Sequence, residues 1–418
     1  MTQSQTSRLP SWLVGSGVIA IAMGVMNVAT YAFTILAARW LGPQQYGALA
    51  ALMGLLLIVT VVALGLQATG ARQIAASPGD VARIEADIIS TSYRAALAVG
   101  ALCLVATPVV ASTLRLDSWL TATLLGVTAI PLTLMGGQAG LLQGERRWLS
   151  LAIVYLAVGV GRVLCGVLGL LWRPDALGAM IGVAVGSCLP AIIGWFALRH
   201  PGRRGSQPTG PADEQSGRPR GVIREVAHSS HALLAFFALS NADVVVARSV
   251  LDDQQSGLYA GGLILTKAVL FLPQFVVVVA FPAMSSIGAR RSMHLKGLVL
   301  VLGIGSVATL GAWLLSSLAL TFIGGPGYSD IEPLLWVFAG IGTLLAMIQL
   351  MVYSVLARRH QKAVYVVWAG LLTLLTIGVF ADSVTFLLTV VGTTMALVLV
   401  VLLVASLRKP DVVSTRAG

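Results

Sequence analysis

Hydrophobic and polar positions along this chain alternate on the scale of a lipid bilayer. Read with a span-length window, the sequence breaks into about twelve apolar stretches, each of the roughly 20 residues that cross a 30 Å hydrocarbon core as a helix. The predicted spans are 12–36, 45–67, 88–112, 118–142, 149–171, 176–198, 228–249, 257–282, 297–322, 333–356, 363–381 and 384–407. Lipid offers the backbone no water, so each stretch must satisfy its own N–H and C=O groups, and a helix does this within one segment. The predicted fold class is therefore an all-α polytopic membrane protein of about 12 transmembrane helices.

Charge then fixes an orientation. Lys and Arg collect on alternate connections. One set holds Arg8, Arg72, Arg83, Arg146, Arg147, the arginines of 199–224, Arg290, Arg291, Lys296, Arg358, Arg359, Lys362, Arg408, Lys409 and Arg416; the other holds only Arg39, Arg115, Arg173 and Arg248. The positive-inside rule puts both termini and the long middle loop in the cytoplasm, in a protein of the cytoplasmic (plasma) membrane. A net charge of +11 could suggest nucleic acid. These cations are instead spread over short loops, where they anchor the spans and meet anionic lipid, so no nucleic-acid partner is expected. Only 10% of residues are charged, against about 25% in an average soluble domain. Cys103, Cys165 and Cys188 all fall within spans and imply no disulfide framework.

The one long polar segment, 199–225, is rich in Pro, Gly, Ser and Arg and reads as a flexible cytoplasmic linker. It separates a six-helix lobe, 1–198, from a second, 226–418. The halves share a local pattern. Ala38-Arg39-Trp40-Leu41-Gly42-Pro43-Gln44-Gln45-Tyr46-Gly47-Ala48 and Ala247-Arg248-Ser249-Val250-Leu251-Asp252-Asp253-Gln254-Gln255-Ser256-Gly257 align with one inserted residue. Both join the first and second helix of their half on the outer side. Six helices per half preserve orientation, so this is a parallel repeat about the membrane normal, an arrangement that transporters use to build a site between lobes.

These residues resemble a known family. AARWLGPQQYG and GLQATGARQIA resemble the N-terminal signature of bacterial polysaccharide exporters, and ADVVVARSVLDDQQSGLYAGGLIL (242–265) resembles the start of the second half of lipid-linked oligosaccharide flippases. LLQGERRW and FIGGPGYSDIEPLL fit the same pattern. The resemblance is to the polysaccharide flippase branch of the multidrug/oligosaccharidyl-lipid/polysaccharide exporter superfamily, over roughly residues 12–407. It implies two six-helix lobes around a central cavity and alternating access. It also implies a polyprenyl-diphosphate-linked glycan as substrate.

Three ionisable residues lie well inside spans: Arg162, Asp243 and Lys267. A charge at mid-helix costs about 2.5–3.5 kcal/mol on insertion scales, so it faces a partner or a wet cavity. Arg162 shares a face with Tyr155, Gly159, Gly166 and Gly169, and Lys267 with Phe271 and Gln274. In a cavity these cations would neutralise a lipid diphosphate; the competing reading pairs either of them with Asp243. Asp243 matches the acidic position of the resembling motif. It stands as a carboxylate for coupling to H+ or Na+, or as a structural partner of Lys267 or Arg248. Asn27 and Tyr31, with Gly24 and Thr34, form a polar stripe on span one that would line a cavity or bond between helices. Arg39 and Arg248 read as interfacial anchors, and Gly178, Gly182 and Gly186 as a close-packing ladder.

The sequence carries no P-loop, HExxH, GxSxG or CxxC motif, and His228 with His231 has no third ligand nearby, so no cofactor, metal site or enzymatic chemistry is expected. Alternatives to the flippase are a drug/cation antiporter of the same superfamily and a membrane-embedded polysaccharide polymerase or ligase. The short outer loops count against the enzyme.

Overall fold

The computed structural model describes residues 11–199, 222–284, 290–358 and 362–407, with side chains described for 17–199, 230–271, 297–352 and 364–405. The described chain is helical apart from short turns between helices. In order the helices are α1 (Ser11–Val59), α2 (Val61–Ala76), α3 (Val81–Val105), α4 (Thr107–Thr113), α5 (Trp119–Gly144), α6 (Trp148–Trp172), α7 (Ala176–Arg199), α8 (Val222–Leu239), α9 (Ala242–Val250), α10 (Asp253–Met284), α11 (Arg290–Leu314), α12 (Ser316–Ile323), a 3-10 helix (Pro326–Leu334), α13 (Leu335–Arg358), α14 (Lys362–Gly378) and α15 (Val384–Leu407). Nine segments among the described residues are long and apolar enough to cross a membrane. One of them, Gly17–Ala76, runs 60 residues and takes in the second predicted span and most of the first. The predicted spans 257–282 and 363–381 fall on α10 and α14. Many large apolar side chains face outward, as a lipid solvent permits: Val105, Leu164, Leu171, Val307 and Phe380 are among the most exposed.

The chain clusters into two compact units. The first comprises the described residues of Met1–Leu41 and Val59–His231; the second comprises those of Gly42–Ile58 and Ala232–Gly418. Sequence reading placed the whole of 1–198 in one lobe, but the stretch Gly42–Ile58 groups with the later half. The handover falls at Gly42, whose φ of 66° and ψ of 174° kink α1 ahead of Pro43. That backbone conformation is essentially restricted to glycine. The linker expected at 199–225 falls largely on 200–221, outside the described residues, while Arg199 closes α7 and Val222 opens α8.

In the first unit, helix contacts run through glycine. A Cβ on Gly136 or Gly140 of α5 would overlap the backbone of Ala63 or Gln67 on α2, and one on Gly182 of α7 would overlap the Cys165 carbonyl of α6. The ladder Gly178, Gly182 and Gly186 therefore does what its spacing predicts, letting α6 and α7 approach backbone to backbone. In the second unit, the Gly42–Ile58 stretch packs on the repeat-related turn. Gly47 lies against Gly257, its counterpart in the sequence alignment, and a Cβ on Gly257 would overlap Pro43. Gly54 lies against Val244 and the Asn241 carbonyl.

Candidate functional site

In the first unit the centre of interest is α6. Its face carries Tyr155, Gly159, Arg162 and Gly166 at spacings of 4, 3 and 4. Gly159 and Gly166 are open because α1 lies against them: a Cβ at Gly159 would meet the Met26 Cα at 2.9 Å, and one at Gly166 would run into the Phe33 ring. Arg162 thus sits between two α1 contacts, beside the stretch that bears Asn27 and Tyr31, both half-buried. The Arg162 side chain is itself half-buried, and its guanidinium makes no hydrogen bond or ion pair with any described residue. Seven residues earlier, about 10.5 Å along the helix, the Tyr155 hydroxyl accepts from the Gln67 amide at 2.7 Å. The same Gln67 amide donates to Gln143 Oε1 at 2.9 Å. This α2–α5–α6 relay escaped sequence reading, where Tyr155 figured only as a spacer. A glutamine within an apolar span was the available signal.

The second unit holds the other two charges, and here the backbone does something the apolar pattern hides. Span seven is broken. Helix α8 ends at Leu239, Ser240 and Asn241 form a turn, and α9 starts at Ala242, with Asn241 at φ −135°. A break frees carbonyls at the end of α8 and N–H groups at the start of α9. Each end has a charge of the sign that the helix dipole favours. Lys267, reaching over from α10, donates its ammonium to the Ser240 carbonyl at 2.6 Å and to Asn241 Oδ1 at 3.0 Å. Asp243, in the first turn of α9, accepts from the Val244 N–H at 2.9 Å and from the Tyr259 hydroxyl at 3.1 Å. Asn241 completes the turn by donating to the Phe237 carbonyl at 2.8 Å and to Ser240 Oγ at 3.1 Å. Ser240, Asn241 and Asp243 are each no more than 3% exposed, and Tyr259 is fully buried.

The sequence-predicted residues are thus divided. Arg162, Asn27 and Tyr31 share one region of the first unit; Lys267 and Asp243 share the helix break of the second. Gln274 lies outside the residues whose side chains are described. The simple ion pairs considered for Asp243 are not what the geometry shows. Among the described residues no ion pair joins Asp243 to Lys267; the two meet the helix break at separate atoms. Arg248 is committed elsewhere, to Asp253 at 2.9 Å and Ser256 Oγ at 3.2 Å. It is also only 4% exposed, a buried ion-pair partner in place of the expected interfacial anchor. Tyr259 was missed altogether; it lies sixteen residues from Asp243, and only the fold brings the two together. Among the described residues, no three His, Cys, Asp or Glu side chains gather to hold a metal ion.

Comparison with known proteins gives these sites a setting. Residues 13–288 match the family described as polysaccharide biosynthesis protein. No curated protein matches the chain. Among solved structures, the chain is similar to a lipid II flippase MurJ in an inward closed conformation, with a TM-score of 0.66 at 10% identity over 93% of this chain and 88% of that one. It is also similar to a multidrug resistance MATE family transporter of the MOP superfamily in an inward-facing conformation, with a TM-score of 0.63 at 10% identity over 95% of this chain and 99% of that one. A third likeness is to the MATE multidrug transporter DinF-BH, with a TM-score of 0.61 at 13% identity over 98% of both chains. The fold is common to all of them.

Proposed function

We propose that this chain, which belongs to the polysaccharide biosynthesis protein family, is a flippase that carries a polyprenyl-diphosphate-linked oligosaccharide across the cytoplasmic membrane by alternating access. The observation that carries this reading is the Arg162 guanidinium, half-buried in a membrane-spanning helix with no partner among the described residues. An intramembrane arginine costs several kcal/mol unless something compensates it. A lipid diphosphate supplies that compensation during transport, through planar bidentate bonds that suit a guanidinium. Asn27 and Tyr31 on the neighbouring stretch of α1 add polar contacts for the same ligand, and Gln274 belongs to this reading through its place on the helix of Lys267. The family supports a glycan-linked substrate, and the fold shared with a protein described as a lipid II flippase supports a lipid-linked one. The distribution of Lys and Arg supports cytoplasmic termini. Asp243 is the carboxylate we assign to coupling, with H+ as the ion, or Na+ in a state of the cycle from which the Lys267 ammonium has withdrawn.

The test uses purified protein in proteoliposomes with a polyprenyl-diphosphate-linked oligosaccharide in the membrane. Flipping is read as the fraction of glycan that becomes reachable by an external glycosidase. Arg162→Gln should lower the initial rate about tenfold or more, and Arg162→Lys should retain only part of it, because the charge is kept while the bidentate fork is lost. Wild-type flipping by a folded Arg162→Gln variant would remove the argument for the diphosphate, and wild-type protein that flips no such lipid would remove the reading itself.

A further inference from the structure

We propose that the break between α8 and α9 is a monovalent-cation position, and that the ammonium group of Lys267 fills it as a tethered resident cation. The proposal rests on the helix break and is independent of which lipid is carried. Two oxygens from adjacent residues define the position, the Ser240 carbonyl and Asn241 Oδ1, with the Asp243 carboxylate two residues further along. They hold the ammonium at 2.6 and 3.0 Å, and Asp243, buried on the same turn and held by the Val244 N–H and the Tyr259 hydroxyl, supplies the counter-charge without direct pairing. Unwound carbonyls at the C-terminal end of a half-helix are what membrane transporters present to alkali cations. The dipole of α8 adds negative potential at the same end.

The neighbours keep the oxygens in place. Asn241 is pinned through its amide to the Phe237 carbonyl, and Asp243 through the Tyr259 hydroxyl. The Lys267 backbone is anchored next to this position, because the adjacent Thr266 ties α10 to the Phe338 carbonyl of α13 at 2.8 Å. Two neutral oxygens with one carboxylate on the same turn suit a singly charged ion. A divalent ion would call for more charge and more ligands. In the wild-type protein the position is therefore closed to free cations. Removing the ammonium while leaving the oxygens should open it.

The test is thermal unfolding of the full-length protein, purified in detergent, in chloride salts of choline, sodium, potassium and methylammonium at equal ionic strength. Wild type should unfold at one temperature in all four. Lys267→Ala should unfold at a lower temperature in choline and regain most of the loss, saturably, in at least one of the smaller cations. Asp243→Asn with Lys267→Ala should fold and show no cation preference, since the counter-charge is gone. A folded Lys267→Ala protein with the same unfolding temperature in all four salts overturns the proposal. So does a Lys267→Ala protein that no salt allows to fold while the double variant does. A saturable response of wild type to sodium or potassium that Asp243→Asn abolishes would also overturn it, because the position would then be vacant rather than filled.

Discussion

Asp243 is held by two donors that differ in how easily they can be replaced. The Val244 N–H comes with the first turn of α9 and survives any side-chain change. The Tyr259 hydroxyl comes from another helix and is lost with one oxygen atom. Tyr259→Phe keeps the buried ring and its edge contact with Phe338, so its effect isolates the hydrogen bond. Bonds to charged groups contribute about 1.5–3 kcal/mol in water-soluble proteins, and interhelical bonds in membranes nearer 0.6–2. Tyr259→Phe should therefore destabilise the folded protein by about 1–2 kcal/mol in chemical or thermal unfolding. A change within error would mean that Asp243 needs no help from Tyr259. At this scale the sequence showed that Asp243 and Lys267 are buried charges, because charges within apolar spans are costly. Their partners were hidden for a physical reason. Lys267 bonds a main-chain carbonyl, and a carbonyl freed by a helix break leaves no mark in the pattern of side chains.

Between helices, the same residue type serves opposite ends, and the difference can be measured. Gly182 of α7 has the Cys165 carbonyl and Gly166 Cα where its side chain would go, whereas Gly303 of α11 has nothing within 4 Å. In an open helix position, alanine is favoured over glycine by about 0.5–1 kcal/mol. Gly303→Ala should thus leave stability unchanged or slightly raised. Gly182→Ala must push α6 and α7 apart, and overpacking of this kind costs about 1–3 kcal/mol. Thermal unfolding of the two variants side by side checks the sign difference, and equal effects would show that the α6–α7 contact is loose. Spacing alone announced the Gly178–Gly182–Gly186 ladder. The span-seven break was not announced in this way, although Ser240, Asn241 and Asp243 together in an apolar run are a local excess of polarity. Helix periodicity continues smoothly across them. The bonds that close the end of α8 come from the Ser240 hydroxyl and the Asn241 amide on the Phe237 carbonyl and from Lys267 on the Ser240 carbonyl, none of which the apolar pattern registers.

At the scale of the whole molecule, the order of the chain and the grouping of its helices disagree at one place. Twelve spans and a polar middle segment suggested a cut between 198 and 226, yet Gly42–Ile58 packs with the second unit. The hydrophobic pattern cannot reveal such a transfer, because a span is equally apolar whichever unit it joins. The handover residue was visible only as a glycine before a proline. This grouping has a consequence for chains divided within the middle segment. A fragment 1–212 would carry Gly42–Ile58 without the surface on which Gly47 and Gly54 rest, namely Gly257, Ser256, Val244 and Asn241. That fragment alone should aggregate or be degraded in the membrane. Co-expression with 213–418 should restore it and allow the two to be purified together. Gly257→Val in the second fragment, whose side chain would overlap Pro43, should reduce the amount of 1–212 recovered. Gly303→Val, in open space, should not. Recovery of 1–212 alone, monodisperse and as resistant to heat as in the co-expressed pair, would show that Gly42–Ile58 does not need the second unit. Equal recovery with Gly257→Val and Gly303→Val would show that the glycine contact is not what joins them.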